Sequence, residues 1–293
     1  MNNQQKSYLF AGITIVCWGT VPTAFKIALR YQDNFQLLFI AAITSTLIFA
    51  GALLFNQQWK LVLTLSFKDY LISAALGFLN PFAYYLILFK AYSILPGQVA
   101  QPINMIWPII LVLISIPLLK QKISIRSILA LLISFSGVFF ISSQGGSGNF
   151  KPEHLTGVLL ALGSSVLWSF FWILNVKDSK DEALKLFLNF FFGLIFLCIA
   201  MLIMAKPLPV SVGAWMSGIY VGIFEMGLAF IFWMKALKLT SSTDKISNLI
   251  YISPFLSLFI IHYIAGEKIY FTTPIGLALV IIGIIFQKIK SKG

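Results

Sequence analysis

The chain has 293 residues, of which 59% are apolar and only 10% carry a charged side chain. Soluble domains contain about 25% charged residues, so this composition excludes a soluble globule. The net charge of +12 does not indicate a nucleic-acid partner, because most lysines stand in short connections beside apolar runs. In that position lysines report membrane topology.

Apolar runs long enough to cross about 30 Å of hydrocarbon follow one another along the whole chain. In chain order they cover residues 8–29, 35–55, 70–90, 98–119, 124–143, 156–176, 184–205, 212–234, 245–265 and 272–288. The first run lacks a small-residue cleavage site, so we expect it to remain attached as the first span. The sequence therefore predicts an all-α integral membrane protein with ten transmembrane helices.

The second group of five spans repeats the first group. The matching pairs are Trp18 with Trp168, Asn80 with Glu225, Lys90-Ala91 with Lys235-Ala236, Pro108 with Pro254, Lys122 with Lys268, and Gly137 with Gly283. We predict a first five-helix repeat at 1–144, a linker at 145–155 and a second repeat at 156–293. Because five is odd, the second repeat enters the membrane from the opposite side, as in the inverted repeats of secondary transporters.

The basic residues predict the orientation of these spans. With both termini inside, fifteen basic residues face the cytoplasm: Lys6, Lys60, Lys68, Lys120, Lys122, Arg126, Lys177, Lys180, Lys185, Lys235, Lys238, Lys245, Lys288, Lys290 and Lys292. The outer side then holds Arg30, Lys90, Lys151, Lys206 and Lys268. This bias of three to one predicts N-in and C-in by the positive-inside rule.

One acidic residue, Glu225, lies near the middle of a predicted span, the eighth. A charge at that depth costs about 2.5–3.5 kcal/mol, so such a residue is a functional candidate. It is predicted to carry a proton or to meet a cationic group of a substrate. The alternative is a neutral glutamic acid that holds two helices together. Its repeat partner Asn80 is polar but cannot ionise, so any coupling chemistry is expected to be asymmetric.

Aromatic residues at depth are the second candidate feature. Trp18, Trp107, Trp168 and Trp172 fall inside spans, whereas Trp59, Trp215 and Trp233 are assigned to the interfacial belts. Buried indoles provide flat apolar walls, which suit a cavity for a small molecule, although tight helix packing is an equal alternative. Tyr84, Tyr85 and Tyr251 lie near the same depth and are expected to join the wall.

Prolines inside spans are the third feature: Pro22, Pro81, Pro102, Pro108 and Pro254. Each removes a backbone hydrogen bond and favours a kink. The repeat partners Pro108 and Pro254 are predicted hinges for alternating access, with static kinks as the alternative.

Other polar and small residues carry weaker predictions. Gly218 and Gly222 form a GxxxG pair that favours close helix approach. Lys26 either snorkels to the outer interface or neutralises a substrate carboxylate at the outer mouth. His154 and His262 are expected at the outer surface. The two cysteines have no metal or disulfide spacing, so no metal site is expected.

These residues resemble the drug/metabolite transporter superfamily, specifically its ten-span EamA-type members. The resemblance rests on Cys17-Trp18-Gly19 with Lys26, Lys90-Ala91-Tyr92, Asn104-Met105-Ile106-Trp107-Pro108, Trp168 with Asn175 and Lys177, Ser253-Pro254, Gly266-Glu267-Lys268, and Gly283. The Asn-x-x-Trp-Pro stretch is similar to that of bacterial aromatic amino acid exporters. The first half departs from the family pattern, with Lys120-Gln121-Lys122 where a Gly-Glu pair is common.

The leading functional hypothesis is a secondary transporter that exports amino acids or related small metabolites across a bacterial-type cytoplasmic (inner) membrane. Its predicted substrate-binding residues are Trp18, Asn80, Tyr84, Trp107, Trp168, Trp172, Glu225 and Tyr251. The alternative is proton-coupled efflux of lipophilic cations or drugs through Glu225. Phosphate-ester exchange is weaker without a mid-membrane cluster of basic residues, and a purely structural role does not explain the repeat.

No catalytic constellation is recognised, so neither enzymatic activity nor a cofactor is expected. The expected partners are a small-molecule substrate and the lipid bilayer, without nucleic acid. Five plus five spans suffice for a pathway within a monomer, and the sequence leaves the oligomeric state open.

Overall fold

The computed structural model describes residues 1–95, 100, 103–142, 152–265 and 272–288, and the regular secondary structure in those residues is helical throughout. The first half contains α1 (Asn3–Ala28), α2 (Asn34–Phe55), α3 (Phe67–Gly77), α4 (Tyr84–Ile94), α5 (Trp107–Leu119) and α6 (Ile125–Ser142). The second half contains α7 (Pro152–Lys177), α8 (Glu182–Ile203), α9 (Val212–Val221), α10 (Leu228–Leu239), α11 (Ile252–Ala265) and α12 (Thr272–Lys288). Short helical turns occupy Trp59–Leu63, Asp244–Ser247 and Asn248–Tyr251.

Seven helical segments of the described residues are long and apolar enough to cross a membrane. They are Asn3–Phe25, Asn34–Phe55, Phe67–Tyr92, Leu155–Lys177, Glu182–Ile203, Val212–Leu239 and Asp244–Ile264. Three shorter apolar helices cover Trp107–Leu119, Ile125–Phe140 and Ile275–Gln287. The protein is therefore a multi-pass helical membrane protein, because helices satisfy their own backbone hydrogen bonds in lipid.

Polar residues at the helix starts fix where several of these helices begin. The side chain of Asp33 accepts a hydrogen bond from the Gln36 backbone N–H at 3.0 Å, and the Gln36 side chain accepts one from the Asp33 backbone N–H at 3.0 Å. Ser66 caps α3 in the same reciprocal way, and Ser211 caps α9. These caps satisfy the backbone N–H groups that a helix start leaves without partners.

The third and eighth predicted spans are both interrupted at the same place in the repeat. A π-type turn at Phe78–Ala83 joins α3 to α4, and another at Gly222–Gly227 joins α9 to α10. In the first turn Asn80 leaves the helical conformation (φ −155°, ψ 123°), directly before Pro81, which has no N–H to donate. Asn80 and its repeat partner Glu225 therefore both lie in interrupted helix, where the backbone ladder is irregular.

The two halves interleave rather than stand side by side. Helix α1 packs on α10 and α11 of the second half, and its counterpart α7 packs on α4 and α5 of the first half. Likewise α3 packs on α8, and its counterpart α9 packs on α2. The contacts between the halves thus occur in related pairs.

Glycines mark the closest of these paired contacts. A Cβ on Gly77 would lie closer than 3.0 Å to the Asn189 carbonyl oxygen, and a Cβ on Gly222 would lie within 3.0 Å of the Ala41 carbonyl oxygen and the Thr44 side chain. Gly218 approaches Ile40 on α2 as closely, so the close helix approach predicted for the GxxxG pair is present. Only a residue without a Cβ allows backbones to approach at this distance.

The final helices of the two halves, α6 and α12, also pack closely at glycines. Gly137 of α6 meets Gly276 and Val280 of α12, whereas Gly283 of α12 meets Ala130 and Ser134 of α6. Gly137 and Gly283 are repeat partners, so the α6–α12 contact is symmetric about its centre. It forms a separate apolar cluster beside the main core.

The two ends of the described chain meet at one face, here called the terminal face. The Gln4 side chain accepts a hydrogen bond from the Ser241 backbone at 3.1 Å, and the Gln287 side chain donates to the Asp244 carbonyl at 2.8 Å. An ion pair between Lys180 and Asp69, at 3.5 Å, joins the halves at this face as well. Polar contacts between the halves therefore hold the terminal face together.

The opposite end of the bundle carries a different ion pair. Lys206 lies 2.9 Å from Asp33 at the start of α2. Partial burial alone would raise the pKa of Asp33, but the hydrogen bonds from Lys206 and from the Gln36 backbone outweigh it and lower that pKa below its ordinary value.

Candidate functional site

A cavity lies between the halves, bounded by α1, α4, α5, α7 and the turn that joins α9 to α10. Its lining residues are Trp18, Val21, Pro22, Phe25, Tyr84, Leu88, Tyr92, Asn104, Met105, Trp107, Trp168 and Glu225. The wall is mostly apolar and aromatic with two strongly polar side chains, which is the usual composition of a small-molecule site.

The free space in this cavity is small. The volume open to the centre of a water molecule is about 50 Å³. One water needs about 10–15 Å³ on this measure, so the cavity holds only a few waters. A ligand the size of an amino acid therefore requires the aromatic side chains, or the halves that carry them, to move apart.

Tryptophans from both halves meet at the cavity. The Trp18 ring lies 6.0 Å from the Trp107 ring and 5.8 Å from the Trp168 ring, and the Trp107 and Trp168 rings are 6.1 Å apart. Tyr84 packs against Trp168 at 4.4 Å. Centroid distances in this range are favourable for aromatic pairs, so the repeat partners Trp18 and Trp168 are brought together as the central wall.

The assignment of Trp233 to an interfacial belt is wrong. Its side chain is fully buried, with its ring 5.6 Å from Trp18 and 5.7 Å from Trp107. The reason is the packing of α10 on α1, which covers the end of this span, as the stacked rings of Phe10 and Phe232 at 5.9 Å show. Trp59 and Trp215, by contrast, are 40% and 39% exposed.

Glu225 reaches the cavity from the interrupted helix between α9 and α10. Its side chain is 6% exposed, and its Oε1 atom accepts a hydrogen bond of 2.9 Å from the Tyr85 hydroxyl. The Glu225 carbonyl oxygen, which lies in the irregular turn, accepts a longer hydrogen bond from Trp18 Nε1 at 3.4 Å. Its Oε2 atom is buried and has no hydrogen-bond partner among the described residues.

Three predicted site residues lie away from the cavity lining. Trp172 is fully buried in the aromatic core, 4.8 Å from the Phe230 ring, behind Trp168. Tyr251 packs in the cluster between α6 and α12, with its ring 6.3 Å from Phe135. Asn80 is buried in the first π-type turn, and within the described part of the chain neither of its side-chain polar atoms has a partner.

The structure adds Asn104 to the predicted site and corrects the place of Tyr85, which was expected to join the wall. Asn104 lines the cavity and donates a hydrogen bond to Ser164 of α7 at 3.0 Å. Tyr85 lies behind the cavity wall and holds the Glu225 carboxyl group. Neither contact has a sequence signal, because each joins residues of opposite halves.

The predicted hinge prolines stand at helix starts rather than in helix interiors. Pro108 follows the first residue of α5, and Pro254 is the third residue of α11, after the 3-10 turn Asn248–Tyr251. Proline is tolerated in a first helical turn because its missing N–H has no helical partner there. The irregular backbone lies just before each proline, and the hinge role stays a prediction.

Some sequence predictions concern groups outside the description. Pro102 and Lys268 lie outside the described residues, as do the side chains of Lys26 and His154. His262 is partly exposed, with its ring 5.2 Å from Tyr263. In the residues that the structure describes, no group of three or more His, Cys, Asp or Glu side chains is placed to hold a metal ion.

The interleaved helical halves around one aromatic cavity define a membrane protein of the transporter class. A profile of the EamA-like transporter family matches residues 5–143 and again residues 155–287. The chain belongs to this family.

Relatives in several bacteria carry transporter names. An "Uncharacterized transporter" of Clostridium kluyveri is 28% identical over 60% of this chain and 58% of its own length. "Uncharacterized transporter YxxF" of Bacillus subtilis is 22% identical over 89% of this chain and 83% of its own length. The "Aromatic amino acid exporter YddG" of Ancylobacter novellus is 25% identical over 67% of this chain and 66% of its own length.

One solved crystal structure superposes on the chain with a TM-score of 0.81, at 19% identity, over 96% of this chain and 97% of the other. At this identity the likeness concerns the fold alone.

Proposed function

We propose that the protein is a secondary transporter that exports amino acids or related small metabolites across the cytoplasmic (inner) membrane of a bacterial-type cell by alternating access. The observation that carries this proposal is the cavity between interleaved halves, walled by Trp18, Trp107 and Trp168. Sites of this kind, at the interface of two inverted repeats, are where secondary transporters bind their substrates.

The proposed topology has ten spans in two inverted repeats, with both termini in the cytoplasm. The seven long and three shorter apolar helices of the described residues support the number of spans. The meeting of both chain ends at the terminal face supports an even number of crossings. The terminal face is then cytoplasmic, in agreement with the bias of the basic residues.

The proposed transport step follows from how little free space the cavity has. A volume of about 50 Å³ is too small for an amino acid. Substrate binding therefore requires the two halves to separate at the aromatic wall, and release on the other side requires the wall to close again. The polar contacts between the halves at the terminal face, such as the Lys180–Asp69 ion pair at 3.5 Å, must open in the same cycle.

The aromatic wall supports a substrate with a flat or aliphatic side chain, because indole faces bind such groups over a large area. The relative named as an aromatic amino acid exporter supports the same class.

A second candidate function is efflux of lipophilic cations in exchange for protons, favoured by the buried carboxyl group of Glu225.

Counterflow into proteoliposomes tests the proposal. Vesicles preloaded with an unlabelled aromatic amino acid should accumulate the labelled one, and Trp168→Ala should lower the initial rate at least tenfold by removing part of the wall. Trp59→Ala is the matched control, because Trp59 is 40% exposed and outside the cavity. If folded wild-type protein moves no amino acid or related metabolite, the proposed substrate class is wrong.

A further inference from the structure

The described residues that line the cavity include an acidic side chain but no basic one. Among these described residues, Glu225 carries the one carboxyl group, and none is a lysine, arginine or histidine. A substrate carboxylate would therefore meet no positive side chain among these residues. A buried carboxylate without a counter-charge is costly, which leaves a proton or a bound cation as its partner.

The carboxyl group is held through one oxygen, and its other oxygen is buried without a hydrogen-bond partner among the described residues. Tyr85 donates its hydroxyl hydrogen to Oε1 at 2.9 Å, while Oε2 has no partner among the described residues. Tyr85 is itself fully buried, between Tyr84 at 4.7 Å and Phe89 at 5.6 Å, so its position is fixed by packing. A carboxyl group fixed through one oxygen presents the other in a defined direction.

The aromatic wall adds a second cation-binding element. Trp18, Trp168 and Tyr84 line the cavity together with Glu225. A cation over an indole or phenol face is attracted by the negative potential of the ring, more strongly when water is excluded. The carboxyl oxygen and the ring faces therefore favour the same type of ligand group.

We infer that Glu225 and Tyr85 form the subsite for an organic ammonium group, which binds Oε2 of Glu225 beside the faces of Trp18 and Trp168. The substrate class is an amine, or an amino acid whose ammonium end faces Glu225, with an aromatic or aliphatic body against the indoles. Tyr85 is a positioning residue that acts through Glu225. The inference rests on the proposed function in taking this cavity as the transport site.

Binding of three ligands that share an indole ring tests the subsite by calorimetry on the purified full chain. Tryptamine carries only the ammonium group, indole-3-propionate only the carboxylate, and L-tryptophan both. Tryptamine is expected to bind wild-type protein at least tenfold more tightly than indole-3-propionate, with L-tryptophan between them. Equal affinities, or no measurable binding of tryptamine, would overturn the inference without any variant.

Substitutions of Glu225 and Tyr85 then test whether these residues cause the preference for tryptamine over indole-3-propionate. Glu225→Gln should weaken tryptamine binding by about 10- to 100-fold, the usual size of a charge-assisted hydrogen bond, and remove the preference over indole-3-propionate. Tyr85→Phe should weaken tryptamine binding by a smaller factor and leave indole-3-propionate unchanged. Glu182→Gln is the matched control, because Glu182 pairs with Lys238 at the terminal face, outside the cavity. Unchanged tryptamine binding in Glu225→Gln would refute the subsite.

Counterflow of L-tryptophan separates this inference from the proposed function. If wild-type protein transports L-tryptophan but tryptamine does not compete, the ammonium subsite is wrong and the transport function stands. If tryptamine binds as expected but neither compound is transported, the proposed function is wrong and the subsite stands as a binding site.

Discussion

Alanine substitutions of the glycines at the contacts between the halves test how closely the helices pack there. The expected loss of stability from close packing is opposite in sign to the gain from the higher helix propensity of alanine. Gly77→Ala and Gly222→Ala each place a Cβ closer than 3.0 Å to a backbone oxygen of the other half, Asn189 or Ala41. A backbone oxygen cannot rotate away, so the helices must shift. Overpacking of this kind costs about 1–3 kcal/mol.

The same substitution carries an opposite intrinsic effect, because alanine in a helix is about 0.5–1 kcal/mol more favourable than glycine. The net expectation for Gly77→Ala and Gly222→Ala is therefore a loss of up to about 2.5 kcal/mol. Gly51 and Gly163 are the matched controls, since a Cβ there meets no atom within 4 Å. Their alanine variants should be neutral or stabilised by up to about 1 kcal/mol.

Thermal denaturation of the purified variants in one detergent measures this difference. The two contact variants should melt below wild type and the two control variants at or above it. The contact variants should also resemble each other, because Gly77 and Gly222 occupy equivalent places in the repeat. If all four variants shift together, the helices do not approach as closely as described, and the paired-contact argument fails.

Two further predictions concern charged groups that stabilise the fold. Lys185 is fully buried, and its ammonium group donates to the carbonyl oxygens of Asn175 and Asp178 at the end of α7. Lys185→Met removes these hydrogen bonds and should lower the free energy of unfolding by about 1.5–3 kcal/mol, the size of hydrogen bonds from a charged donor. A variant as stable as wild type in SDS titration would contradict this role. Because the pKa of Asp33 is lowered in the folded protein, its contribution is present above the unfolded pKa and is lost as the pH falls through the folded value. Wild type should therefore lose more stability on acidification than Lys206→Met, and parallel acid profiles of the two proteins would speak against the Asp33 pair.

The repeat was the most reliable guide that the sequence offered. The spacing between Gly137 and Gly283, or between Asn80 and Glu225, predicted equivalent places, and the structure places each pair in equivalent helices or turns. The membership of the EamA-like family confirms the resemblance stated from the motifs. Residues in equivalent places of the two halves can be recognised from the sequence, because a similar number of residues separates each such pair.

Contacts across the halves were harder to predict, because no local pattern encodes which helix covers which. Trp233 was assigned to the membrane interface from its place near the end of a span, yet α1 covers that end and buries it. Trp172 and Tyr251 are buried but pack in other clusters, since the position of a residue along a helix does not determine the direction of its side chain. The Tyr85 partner of Glu225 belongs to the same class of contact.

The gathering of tryptophans has a practical consequence for spectroscopy. Five of the seven tryptophans of the chain, Trp18, Trp107, Trp168, Trp172 and Trp233, form one connected group. Its rings lie close enough for rapid exchange of excitation, so the intrinsic emission of the protein originates largely from this group, three members of which line the cavity. Widening of the cavity wall would change the wavelength and polarisation of the tryptophan fluorescence without any attached dye. Each transport cycle would then be accompanied by a change in fluorescence.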